Sequence, residues 1–129
     1  MTDLTYAAAG DLLERYARAR RASDGDAFVE LHVPGAEVQR NPFEAALAGH
    51  NALRQALLDA SDIEEQVELV FERHWVVAST ILAAWHASYV HRQTRARERF
   101  AGFATFEIAE DGRISRARYW YNRAETPAG

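Results

Sequence analysis

LLERYARARRASDGDAFVELHVPGAEVQRNPFEAALAGHNALRQAL, residues 12–57, decides the fold. Apolar side chains recur at helical spacing through Leu12, Leu13 and Tyr16, with Arg and Glu between them, which predicts a helix over 4–22. Ser23-Asp24-Gly25-Asp26 ends that helix and caps the next, because short polar side chains accept hydrogen bonds from free helix N–H groups. A short second helix is expected over 27–32, closed by Val33-Pro34-Gly35. Residues 37–40 read as a short strand broken by Asn41-Pro42. Gly49 then leads a third helix over 51–60, with Leu53, Ala56 and Leu57 on its apolar stripe.

Strand signals fill the remainder. Within 66–77, Val67, Leu69 and Phe71 alternate with Glu68 and Glu72, the period of a half-buried strand. Residues 79–92 are rich in aliphatic and aromatic side chains, 93–97 read as a turn, and 98–109 as a further strand. Glu110-Asp111-Gly112 is a hairpin signal, and 113–123 closes the sheet. Helices first and long antiparallel strands afterwards predict an α+β architecture: a cone-shaped, curved antiparallel sheet wrapped around three N-terminal helices. No repeat or linker divides the chain, so residues 1–129 are expected to form one domain.

Composition narrows the function. Charged residues make up 26% and hydrophobic ones 48%, the range of ordinary globular domains. There is no cysteine, which removes disulfides, thiolate nucleophiles and Cys-type zinc sites. All fifteen basic residues are arginine, which removes Schiff-base chemistry on a lysine side chain. A net charge of −4 argues against a nucleic-acid partner. No apolar run approaches the ~18 residues of a membrane span, and the N-terminal stretch lacks a basic, apolar leader pattern. The expectation is a cytoplasmic protein with no membrane partner. No histidine pair has the i, i+4 spacing of a zinc site with a carboxylate beside it, so neither a metal nor another cofactor is expected.

Three local signatures carry a resemblance: Arg15-Tyr16 followed by Ser23-Asp24; Asn41-Pro42-Phe43 with Gly49; and Asp111-Gly112-Arg113-Ile114 leading to Tyr119-Trp120-Tyr121. In order and spacing they resemble the ketosteroid isomerases and, more broadly, the nuclear transport factor 2-like (SnoaL-like) superfamily. That superfold hosts isomerases, cyclases, dehydratases, epoxide hydrolases and non-enzymatic binders. The isomerases use an aspartate base and an oxyanion hole made of a tyrosine and a protonated aspartic acid. The resemblance puts the oxyanion tyrosine at Tyr16, the base at Asn41 and the protonated acid at Ala104. An amide cannot take a proton. General-base catalysis contributes about 10²–10⁴-fold and an oxyanion donor about 10²–10³-fold, so isomerisation by the usual route is not expected. The acid of the SnoaL-type cyclases falls near Asn122, again an amide.

Alternation then sets which side chains share the cone with Ala104. Phe100, Gly102, Phe106 and Ile108 join it, as do Ala117, Tyr119 and Tyr121 on the last strand and Trp85, Ala87, Tyr89 and His91 on the long one. Leu13, Tyr16 and Arg20 form one stripe of the first helix. With Asn41, Phe43 and Leu57, these describe an aromatic-walled pocket with a few polar tips. Two histidines compete for proton transfer. His32 could support Tyr16, accept a proton, or simply cap a helix end. His91 could be a general base near its ordinary pKa of about 6.5, or a solvated strand-end residue. His86 has the opposite parity, and His50 and His74 read as surface or interface positions. Arg95, Arg97 and Arg99 form a basic stripe, either an anion or partner surface or a set of cross-strand pairs with Glu68 and Glu72.

Two functional readings follow. In the first, a small hydrophobic, steroid- or polyketide-like cyclic ligand is isomerised, cyclised or dehydrated, with Tyr16 polarising an oxygen and His91 or His32 moving the proton. In the second, the same cone binds a ligand without turnover. Members of the superfamily pair through the outer sheet face, so the resemblance also implies a homodimer using Phe103 and Trp120.

Overall fold

A computed structural model describes residues 4–125. Helix α1 (Tyr6–Ala22) is followed by α2 (Gly25–Glu30), strand β1 (His32–Gln39), the two-residue β2 (Leu47–Ala48) and α3 (His50–Ile63). Four long strands complete the chain: β3 (Glu64–Val77), β4 (Thr80–His91), β5 (Arg97–Ile108) and β6 (Ile114–Arg123). They form one six-stranded sheet in the order β2-β1-β6-β5-β4-β3. The sheet is curved and unclosed, and the helices cover its inner face, giving the expected α+β cone. No helix among the described residues is long and apolar enough to cross a membrane.

Local chemistry sets the helix ends. Thr5 Oγ1 accepts the Ala8 N–H at 3.0 Å to open α1. Ser23 closes it in the left-handed region, and the Asp24 carboxylate accepts the Ala27 N–H at 3.1 Å to open α2. This cap starts the second helix two residues before the expected 27–32. As a result, His32 begins a strand instead of ending a helix. Pro34 has no N–H to donate, and β1 accordingly loses register with β6 between His32↔Ile114 and Glu37↔Arg116. The β1–β6 pair is parallel, whereas every other pair is antiparallel. Residues 40–113 connect those two strands, long enough for the crossover a parallel pair needs.

The core lies between α1 and the inner sheet face. Phe106 is fully buried, and its ring meets those of Tyr16, Phe71 and Tyr119 at 5.5–5.9 Å. Strand β3 departs from simple alternation twice. Between Glu65↔Val90 and Glu68↔Ser88 it carries one residue more than β4, with Gln66 at φ 53°, and a second extra residue falls between Phe71 and Arg73. Such bulges shift the side-chain parity of everything on one side.

The arginine stripe finds partners by cross-strand pairing, though not those expected. Arg95 and Arg92 both pair with Glu65. Arg97 donates to Ser88 Oγ at 3.1 Å and to Gln66 Oε1 at 3.0 Å. Glu72 pairs instead with His86 on the outer face.

Candidate ligand site in the cone

Curvature of the sheet leaves a cavity of about 350 Å³ between its inner face, α1 and α3. Of the expected residues, Tyr16, Arg20, Leu57, Trp85, Tyr89, Phe100, Tyr119 and Tyr121 line it together. Aromatic rings form most of one wall: Trp85 packs edge-on to Tyr119 and tilted against Tyr121, while Phe100 stacks on Tyr89. The Trp85 indole N–H is buried without a hydrogen-bond partner among the described residues. Leu53, Ala56 and Leu57 of α3 face these rings across the cavity.

The polar centre of the site is a pair of phenols. Tyr16, on α1, and Tyr119, on β6, hydrogen-bond through their hydroxyls. Burial raises the pKa of Tyr16, and burial together with the neighbouring Tyr16 raises that of Tyr119 well above the usual phenol value. Both therefore stay protonated at neutral pH. One hydroxyl donates to the other, so the pair retains one O–H for a third oxygen. Arg20 lies one helical turn beyond Tyr16, and its charge opposes the rise at both phenols.

Alternation did not point to Glu64, which also lines the cavity. Its carboxylate accepts from Arg20 Nη2 at 3.3 Å, and its side chain is only 15% exposed. Burial and the nearby Glu64 and Glu98 carboxylates raise the pKa of Tyr89. At the rim, Glu68 accepts from Ser88 at 3.3 Å.

The remaining expected residues lie elsewhere. Asn41 Oδ1 accepts the Phe43 N–H at 2.9 Å, a local turn that keeps the amide out of the cavity, and Phe43 is 99% exposed. Ala104 and Phe106 face inward but are fully buried in the packed core beneath the cavity. His32 is also fully buried; its Nδ1 lies 2.8 Å from the Phe28 carbonyl oxygen, and Nε2 has no partner among the described residues. Its pKa is pushed down to about 4, chiefly by burial. His91 Nδ1 accepts the N–H groups of Gln93 at 3.2 Å and Thr94 at 3.4 Å, so its ring closes a turn and does not line the cavity. Neither histidine supplies a base to this site. Among the described residues, no cluster of three or more His, Asp or Glu has metal-binding geometry.

A helix-roofed cone with a tyrosine hydroxyl inside it agrees with comparison to known families: the SnoaL-like domain matches residues 13–117. The chain belongs to the SnoaL-like family. No curated protein matches it significantly by sequence. Solved structures share the fold at low identity. SalBIII, an epoxide hydrolase/cyclase-like enzyme in pyran ring formation in polyether salinomycin, superposes with a TM-score of 0.78 at 17% identity, covering 88% of this chain and 89% of its own. RV0760c from Mycobacterium tuberculosis, in complex with estradiol-17beta-hemisuccinate, gives 0.75 at 15% identity, covering 89% and 94%. A Catenulispora acidiphila protein with a ketosteroid isomerase-like fold, in complex with trimethylamine, gives 0.80 at 9% identity, covering 87% and 85%. At these identities the SnoaL-like fold is what is shared.

Proposed function

We propose that this SnoaL-like protein binds a small, hydrophobic, ring-containing molecule in the cone and polarises one of its carbonyl or hydroxyl oxygens with the Tyr16–Tyr119 pair. The reading rests on that pair: two protonated, mutually bonded phenols in the aromatic wall of the cavity, with the Arg20–Glu64 ion pair also lining it. A carbonyl oxygen placed there takes the free O–H and gains partial negative charge, the step that isomerisation and cyclisation share. The cavity volume lies within the range of small-molecule sites, about 300–1,000 Å³. The steroid-derived ligand of RV0760c and the cyclase-like description of SalBIII are consistent with this class.

Titration with a 3-ketosteroid such as progesterone tests the reading. Trp85 lines the cavity, so saturable quenching is expected in the protein and not in Trp85→Phe, where only Trp75 and Trp120 remain. Tyr16→Phe and Tyr119→Phe should each weaken binding by about tenfold, the worth of one hydrogen bond of about 1.4 kcal/mol. Equal affinity in both variants would take the oxygen away from the phenols. A purely binding role is favoured by one observation: neither His32 nor His91 reaches the cavity.

The outer sheet face supports a second proposal, a homodimer. Trp75 stacks on Phe103 at 5.8 Å, and Val70, Phe103 and Trp120 are 40–47% exposed on that face. Sedimentation should give twice the chain mass for the protein and the chain mass for a Phe103→Glu, Trp120→Glu variant. A monomer at micromolar concentration before substitution would end the proposal.

A further inference from the structure

We propose that Glu64 is the proton-accepting residue of the cone, the base that neither Asn41 nor Ala104 supplies. The inference rests on the ligand orientation proposed above, with the ligand oxygen at Tyr16 and Tyr119. Three observations carry it. First, Glu64 faces the same cavity as the phenols, and Arg20 stands next to both, since it bonds the carboxylate and its charge acts on both hydroxyls. Second, one carboxylate oxygen accepts from Arg20 while the other makes no hydrogen bond among the described residues. That oxygen has a lone pair for a ligand proton. Third, the main chain that carries this side chain is held from two directions. The Glu64 N–H bonds the Ala60 carbonyl at the end of α3, and Glu64 pairs with His91 at the start of β3. The bulge at Gln66 lets Glu64 share the inner face with Val67 and Leu69, despite their opposite parity.

For a cyclic ketone the step balances without a co-reactant. Glu64 takes a proton from the carbon next to the carbonyl, and the C–H electron pair becomes the C=C bond of the enolate. The carbonyl π pair moves to oxygen, where the phenol pair stabilises the charge. Return of the proton to the same carbon restores the ketone. Return to a conjugated carbon isomerises it.

Deuterium wash-in to 2-tetralone, a bicyclic ketone, tests this in D₂O by NMR, with binding followed in parallel by Trp85 fluorescence. The protein should bind 2-tetralone and accelerate exchange above buffer. Glu64→Gln should bind it comparably but lose about 10²-fold or more of the acceleration, the typical share of a general base. If Glu64→Gln does not fold, Glu64→Asp decides. Drawing the carboxylate back by one methylene should cost about tenfold or more, and a smaller loss overturns the assignment. Binding without acceleration, or unchanged exchange in Glu64→Gln, overturns the role of Glu64 and leaves the binding reading standing. Absence of binding overturns both.

Discussion

Gly102→Ala should abolish folding or lower stability by about 3 kcal/mol or more, read as a collapse of the urea midpoint. Gly102 lies in β5 between Trp85 on β4 and Tyr121 on β6. A methyl group there would sit 2.7 Å from Tyr121 Cα and 2.8 Å from the Trp120 carbonyl carbon, and closer still to the Trp120 oxygen. All three are backbone atoms, so no rotamer change relieves the overlap. The strands would have to separate at Gly102, and its register partners Trp85 and Tyr121 would move with them. Overpacking in a fitted core costs about 1–3 kcal/mol when side chains can adjust. Here they cannot. A Gly102→Ala variant with a midpoint like that of the unchanged protein would show that β6 is not pressed against β5.

The residues that were legible in the sequence are those governed by local rules. Ser23 and Asp24 end one helix and open the next because Ser23 turns the chain and the Asp24 side chain bonds an N–H three residues on, and period-two alternation places Trp85, Tyr89, Phe100, Tyr119 and Tyr121 on the inner face. What alternation leaves out is a residue added to a strand. Glu64 has the parity of Glu68, opposite to that of Val67, Leu69 and Phe71, so an unbroken strand would turn it outward. The extra residue at Gln66 brings it in. No residue type at that position announces a bulge, since Gln at φ 53° has no glycine signature. Asn41 and His91 were misplaced for another reason: a nearby backbone N–H took each side chain first. The resemblance gave Asn41 an address in a loop, and the loop turns that address outward.

Stability should fall as the pH drops from about 6.5 towards 4, and His32 should account for much of the loss. The ring is fully buried, and with Nδ1–H donating to the Phe28 carbonyl its Nε2 is the bare nitrogen, unpartnered among the described residues. Adding a proton there would bury a charge with no acceptor for it. Burial therefore pushes the pKa to about 4; the Phe28 carbonyl opposes that shift and His50 reinforces it. In the unfolded chain the same imidazole titrates near 6.5. Between those values the unfolded state carries the proton and the folded state does not, so lowering the pH favours unfolding. The interval at about 1.4 kcal/mol per pH unit amounts to about 3 kcal/mol, complete above 6.5 and lost on reaching 4. The comparison is His32→Phe, which keeps an aromatic ring against Phe28 and Tyr16 but cannot titrate. Urea unfolding at pH 7.5, 6 and 5 should show a steep decline for the protein and a shallower one for the variant. Parallel declines would mean that another group titrates in this window, and that the buried His32 ring already tolerates its charge.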